Sequence, residues 1–216
     1  KMAVARGAMI VFEGCDRCGK STQCLQLVEY LRSLGRKVEM IRFPDRSTAI
    51  GKTIDSYLQG KSELDDHAIH LMFSANRWEM KSRMKNLLEE GTTLIVDRYA
   101  FSGVAFTAAK HNFDLQWCKF PDSGLIAPDV VLYLDMPLEE ASKRGQYGGE
   151  RYEKLEFQKK VAIVYSKLKE DNWKIINASQ TIDDVHMDIK EIVENTINTA
   201  KSSKLKTLWP LNQDQS

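Results

Sequence analysis

Residues 14–21 read Gly14-Cys15-Asp16-Arg17-Cys18-Gly19-Lys20-Ser21, an instance of G-x-x-x-x-G-K-[ST]. Glycines at these spacings let a chain wrap tightly enough for successive N–H groups to point at phosphate oxygens. A lysine can then reach the β- and γ-phosphates, and a hydroxyl can ligate Mg²⁺. A glycine-rich turn before a Lys-Ser pair would look the same, so the flanks decide. A strand pattern ends at Glu13 and a helical pattern follows the loop, the context in which the motif holds a nucleoside triphosphate. The expected triphosphate contacts are Gly14, Asp16, Arg17, Cys18, Gly19, Lys20, Ser21 and Thr22. Arg17 could neutralise charge developing between donor and acceptor, or could simply be a solvated loop residue. Asp16 adds negative charge where anions gather, which suits a sugar hydroxyl or a magnesium-bound water.

A second group follows the later strands. Asp97-Arg98-Tyr99 places an acid where a phosphate-transferring enzyme holds its metal, so Asp97 joins Ser21 as a candidate metal residue. Asp135 is the rival, but Met136-Pro137 turns the chain away there. Arg42-Phe43-Pro44-Asp45-Arg46 brings another arginine to the same sheet edge. Phe73 and Arg77 lie four apart on a helix and share a face. A ring beside a guanidinium suits a flat base, one stacking and the other donating to a carbonyl; a core ring beside a surface arginine has the same spacing. Residues 142–152 mix three glycines with Lys143, Arg144 and Arg151, either a mobile basic lid that excludes water or an exposed linker.

Lys20, Arg17, Arg46, Arg98 and Arg144, with Mg²⁺, would balance the roughly four to five negative charges of a triphosphate meeting a monophosphate. A phosphate acceptor is already ionised near neutrality, with a second pKa of about 6, so no dedicated base is required. Catalysis would then be alignment and charge neutralisation.

The elements that must position these residues follow from hydrophobic pattern. Five short apolar runs, at 8–12, 38–41, 92–96, 130–134 and 173–176, read as strands, several of them covered on both faces. Helical spacing fills 23–34, 66–90, 151–169 and 181–199, with Gly91 stopping the second and Thr181 to Asp184 forming a capping box for the last. Strands alternating with helices predict an α/β fold, a three-layer sandwich around a five-stranded parallel sheet. The chain reads as one domain with its core at 7–209, a substrate-gripping helical insert at about 43–91 and a loose tail at 210–216.

Composition narrows the function classes. The 216 residues are 43% hydrophobic and 28% charged, enough for one core and unlike a disordered chain. Lys+Arg 31 against Asp+Glu 30 gives a net charge of +1, which argues against a broad duplex nucleic-acid footprint. No apolar stretch reaches the roughly 18 residues of a membrane span, and no leader precedes the first strand, so an intracellular, cytoplasmic protein is expected. Cys15 and Cys18 match a redox spacing but lie inside the glycine loop, which has another use. His67 and His70 lack further ligands for a zinc site.

Four segments occurring together are far more specific than the loop alone: residues 12–23, 42–48, 71–79 and 96–105. Through them the chain, from about 7 to 209, resembles the eukaryotic thymidylate kinases within the nucleoside monophosphate kinase family. The resemblance implies Mg²⁺-dependent transfer from ATP to dTMP in dTTP synthesis, by a homodimer. It implies that Phe73 stacks on thymine while Arg77 and Ser102 read its edge, and that Asp16 accepts from the 3′-hydroxyl. Phe43 would line the acceptor site, Arg46 and Arg98 would hold the acceptor phosphate, and Phe106 and Tyr152 would press on the sugar. Gln158 would lie over the substrate. Arg17, Lys20, Arg98 and Arg144 would be catalytic, with adenine near 177–180, although Gln180 stands where a basic residue is familiar. Alternatives on residues alone are a kinase for dUMP, UMP or dCMP, a small-molecule kinase, or a nucleotide-gated interaction module.

Overall fold

The computed structural model describes residues 5–144 and 149–210. Three segments fall outside the described residues: the beginning of the chain, residues 145–148 of the expected lid, and the end of the expected tail from 211.

Five parallel strands, β1 (Met9–Glu13), β2 (Val38–Arg42), β3 (Thr93–Asp97), β4 (Val130–Asp135) and β5 (Trp173–Asn177), form one sheet in the order β2-β3-β1-β4-β5. The two-residue period of a strand sends its side chains alternately to the two faces. Met9 and Val11 of β1 enter one core with Leu94, Val96, Val131 and Tyr133, whereas Ile10 and Phe12 enter the other with Ile95, Leu132 and Leu134.

Helices cover both faces, as the three-layer reading predicts. On one face α1 (Lys20–Ser33) contributes Cys24, Leu27, Val28 and Leu31, and α8 (Ile182–Ala200) contributes Val185, Ile189, Val193 and Ile197. The other is covered by α3 (Asp66–Glu89), α4 (Ala100–Ala108) and α7 (Leu155–Leu168). Between β2 and β3 the chain forms α2 (Ala49–Leu58) and α3, within the helical insert expected there. Ile54, Tyr57, Leu58 and Ile69 make a small core of their own, against which Phe73 and Tyr152 pack. Short helices α5 (Leu115–Lys119) and α6 (Leu138–Ser142) complete the chain order. Among the described residues no helix is long and apolar enough to cross a membrane.

Helix ends explain where the sequence pattern slipped. Asp65 caps α3 by accepting from His67 N and Ala68 N, and Gly91 stops it at φ 85°. Thr181 Oγ1 accepts from Asp184 N at 3.2 Å and donates to the Asp184 carboxylate at 2.6 Å. The helix expected from Arg151 instead begins at Leu155. Arg151 is held elsewhere, its N–H donating to Leu58 O at 3.0 Å and its guanidinium to Glu63. α4 left no helical period in the sequence because it is mostly apolar and none of its residues is exposed.

Candidate active site

The parallel sheet carries the carboxyl ends of β1, β2 and β3 to one edge, and the residues that could do chemistry gather in the crevice there. The cleft holds about 1360 Å³. Its walls include Asp16 from the loop after β1, Lys20 and Ser21 from the first turn of α1, and Asp97 and Arg98 at the end of β3. Phe43 and Arg46 follow β2, Phe73 and Arg77 lie on α3, Ser102 and Phe106 on α4, and Arg144 and Tyr152 flank the undescribed 145–148.

The loop after β1 requires glycine where it passes β4. Gly14 has φ 141°, and a Cβ there would stand 2.7 Å from Leu134 O. Gly19, at φ 94°, turns the chain into α1. Within the loop Lys20 Nζ donates to Gly14 O at 3.1 Å and Cys15 O at 2.6 Å and stands 3.4 Å from Cys18 Sγ. These contacts fold the ammonium back over the loop's own carbonyls and hold it at the cleft. Cys18 and Thr22 also line a smaller cavity with Gln180 and Ile182, beside the loop after β5.

The two expected metal residues lie side by side: Ser21 Oγ donates to Asp97 Oδ2 at 2.6 Å. Arg42 reaches the same two residues, with Nε at 3.0 Å and Nη2 at 2.8 Å from Asp97 Oδ2 and Nη2 also donating to Ser21 Oγ. Burial opposes ionisation of Asp97, but Lys20, the Ser21 hydroxyl and Arg42 outweigh it and hold the carboxyl below its usual range. A hydroxyl beside an ionised carboxylate at a strand end is a hard oxygen pair, the donor set Mg²⁺ takes when phosphates and waters complete its shell. The site residues therefore fit this ion. Asp135 is exposed and does not line the cleft.

Arg98 and Arg17 both adopt left-handed backbone, at φ 67° and 65°. Non-glycine residues held this way cost ~1–3 kcal/mol, and such strain concentrates at functional sites. Arg98 donates to Asp16 Oδ1 through Nη2, and to Gly14 O at 3.2 Å and Ser102 Oγ at 3.1 Å through Nη1. Burial disfavours its charge, but Asp16, Tyr165, Glu13 and Asp97 together more than compensate, and its pKa rises. Phe106 places its ring 5.3 Å from the Arg98 guanidinium, and the Tyr152 ring lies 5.6 Å from Phe106. Arg17 Nε donates to Glu153 Oε1 at 3.0 Å, which ties the phosphate loop to the segment after 145–148.

Several expected residues are placed differently from their expected use. Gln158 is buried and does not line the cleft; its amide holds Asp16 from behind. Arg77 lines the cleft but commits Nε and Nη2 to the buried Asp122 at 3.0 and 2.7 Å. Ser102 Oγ is bonded to Glu13, Arg98 and the Tyr165 hydroxyl. Arg46 bridges Asp55 at 2.6 Å and Glu150 at 2.8 Å. Cys15 and Cys18 are free and buried in cores on opposite sides of the sheet, which removes the basis for a redox pair. His70 is enclosed by Thr107 and Cys118, and among the described residues no three His, Cys, Asp or Glu side chains are grouped to hold a metal.

Sequence reasoning did not single out Glu13, Arg42, Asp122, Glu153 or Tyr165 as parts of this network. Glu13 alone carried a signal, as a carboxylate ending an otherwise unbroken apolar run.

The sequence profile of thymidylate kinases matches residues 12–189. The chain is 55% identical over 205 residues to the thymidylate kinase of Arabidopsis thaliana, covering 94% of this chain and 78% of that one. It is 54% identical over 211 residues to the thymidylate kinase of Homo sapiens, covering 96% and 100%. The structure of thymidylate kinase from Candida albicans superposes with a TM-score of 0.86 at 38% identity, covering 94% and 98%. A glycine loop facing an aromatic and arginine-lined wall, joined to a match that runs through all four segments, has one reading: the chain belongs to the thymidylate kinase family.

Proposed function

We infer that this protein transfers the γ-phosphoryl group of ATP to dTMP, giving ADP and dTDP. One observation carries the reading: the phosphate loop and the Phe73, Arg77 and Arg98 wall line a single cleft, so two phosphate groups can meet between them. A generic nucleotide switch has no use for the second wall.

In this mechanism Lys20 and the loop N–H groups hold the donor's terminal phosphates, and Arg98 and Arg46 hold the acceptor phosphate in line with them. Ser21 and Asp97 would hold Mg²⁺, whose charge would offset that of the donor oxygens. Arg17 and Arg144 approach from the loop and the lid edge to the transferring group, where their charge counts most in the transition state. Phe73 stacks on thymine, Arg77 presents to its edge the nitrogen that Asp122 does not take, and Phe43 closes the wall beneath. Ser102 lies at the same edge. Asp16, held by Arg98 and Gln158, is an anionic acceptor for the sugar 3′-hydroxyl, with Phe106 and Tyr152 against the ring.

We further propose that the enzyme is a homodimer in a reducing, intracellular compartment. Four free buried thiols support the compartment. Leu71 and Trp78, exposed and seven apart on α3, support a covered helix face. Light scattering should give twice the chain mass, and a monomer at assay concentration would remove this part.

The transfer is tested by offering Mg-ATP with dTMP, dUMP, UMP and dCMP in parallel. Catalytic efficiency should be highest with dTMP. Equal or better use of another monophosphate would overturn the acceptor assignment, and nucleotide binding without transfer to any of them would overturn the kinase reading.

A further inference from the structure

Glu13, the last residue of β1, is wholly buried. Its Oε1 accepts from Tyr99 N at 2.9 Å and Ser102 N at 3.1 Å, two of the N–H groups that the first turn of α4 leaves without intrahelical partners. Its Oε2 accepts from Ser102 Oγ at 2.6 Å and Tyr165 OH at 2.9 Å. All four neighbours act as donors, which an ionised carboxylate satisfies completely.

A serine hydroxyl has one proton. With that proton given to Glu13, the Ser102 oxygen can only accept, and it accepts from Arg98 Nη1 at 3.1 Å. Arg98 is also fixed by Gly14 O and Asp16, so the Ser102 contact sets the tilt of the guanidinium between loop and acceptor wall.

We propose that Glu13 is a positioning residue for acceptor binding, which through Ser102 orients Arg98 toward the acceptor phosphate. Glu13 touches no substrate in this arrangement; it acts by fixing which way the Ser102 proton points and by placing a buried negative charge beneath a buried positive one. Burial raises the Glu13 pKa, while its hydroxyl donors and Arg98 act in the opposite direction. The inference rests on the reading that Arg98 holds the acceptor phosphate.

Glu13→Gln tests it, because the amide keeps an oxygen for the two backbone N–H groups but puts a donor where Oε2 accepted. The Ser102 oxygen must then also accept from the amide, and its freed proton turns toward Arg98 or to the Tyr165 hydroxyl 2.9 Å away, so the acceptor that oriented Arg98 is lost or shared. Calorimetry compares dTMP with thymidine, which lacks only the phosphate. In the parent chain dTMP should bind more tightly. In Glu13→Gln that advantage should shrink about tenfold or more, while thymidine and ADP affinities stay within about twofold. Ser102→Ala should shrink it too, and the double variant should be no worse than Glu13→Gln alone.

Equal losses for dTMP and thymidine, or additive effects in the double variant, would overturn the proposal. If Glu13→Gln fails to fold, Ser102→Ala decides by the same comparison, with an unchanged phosphate advantage as the overturning result. A parent chain that shows the advantage yet transfers nothing to dTMP would sink the kinase reading and leave this one standing; a parent with no advantage would sink the role of Arg98, and the proposal with it.

Discussion

Gln158 and Asp16 are joined twice: Gln158 Oε1 accepts from Asp16 N at 3.0 Å, and Gln158 Nε2 donates to Asp16 Oδ2 at 2.6 Å. A buried helix side chain thus fixes both the backbone and the carboxylate of a loop residue that lines the cleft. With Arg98 on Oδ1, the Asp16 carboxylate is held from both sides.

Replacing Gln158 by Ala would leave the Asp16 N–H and Oδ2 without these partners, a loss of ~1–3 kcal/mol where polar groups are buried. The KM for dTMP should rise by about tenfold or more while ADP affinity changes little. Gln158→Glu should be worse, since it sets a second carboxylate against the first. Steady-state kinetics with each substrate varied in turn checks both, and a normal KM for dTMP in Gln158→Ala would remove the positioning role.

Arg17 bears on the chemical step. Its Nε pairs with Glu153 at 3.0 Å across the loop and the lid edge, and its backbone is held in the left-handed region. A guanidinium held there contributes most when charge spreads during transfer, and arginines acting this way are worth ~10³–10⁵ in turnover. Arg17→Ala should lower kcat by about 10³ while dTMP and ADP dissociation constants move less than tenfold. Weakened binding with unchanged kcat would show that Arg17 only grips ground-state nucleotide.

Much of this site was legible in the sequence because motif chemistry survives without coordinates. The spacing from Gly14 to Ser21 placed Lys20 and Ser21, and the strand end at Asp97 placed the acid beside Ser21, where the structure has it at 2.6 Å. The strands were legible because their unbroken apolar runs are what a sheet covered on both faces demands. Partners from distant segments were not. Nothing local ties Asp122 to Arg77, Glu153 to Arg17 or Arg42 to Ser21, and each pairing exists only once crossovers bring the segments to one edge. α4 was lost for a different reason, since a mostly apolar helix with no exposed face has no period to read.

Gly103 shows how such a distant pairing constrains packing. A Cβ there would lie 2.6 Å from Arg77 Nη2 and 3.1 Å from Nη1. Alanine favours a helix over glycine by ~1 kcal/mol, so Gly103→Ala would stabilise an exposed helix. Arg77 cannot yield cheaply, because Nε and Nη2 are fixed to the buried Asp122. The overpacking cost of ~1–3 kcal/mol should win, lowering stability and weakening dTMP more than ADP. Urea unfolding together with nucleotide titration checks the sign. A variant more stable than the parent would mean that the Arg77–Asp122 pair shifts freely.

His70 contributes to the response to acid, as does His186, whose pKa burial also lowers. Its Nε2 faces Cys118 O at 2.9 Å and must carry the proton, so Nδ1 accepts from the Thr107 hydroxyl at 2.8 Å; the ring is held neutral. Burial, reinforced by the charge of Arg77, lowers its pKa from 6.5 to about 4, with Asp122 and Cys118 O opposing. The unfolded imidazole takes up a proton near pH 6.5, whereas the folded one resists until about 4. Between these values the unfolded chain binds more protons, so stability falls as pH drops through that window and levels off below it, by at most ~3 kcal/mol. His70→Gln keeps a donor for Cys118 O and an acceptor for Thr107 but cannot titrate. Its unfolding free energy should fall less than the parent's between pH 7 and 5 in urea titrations; the same decline in both chains would assign the acid sensitivity to other groups.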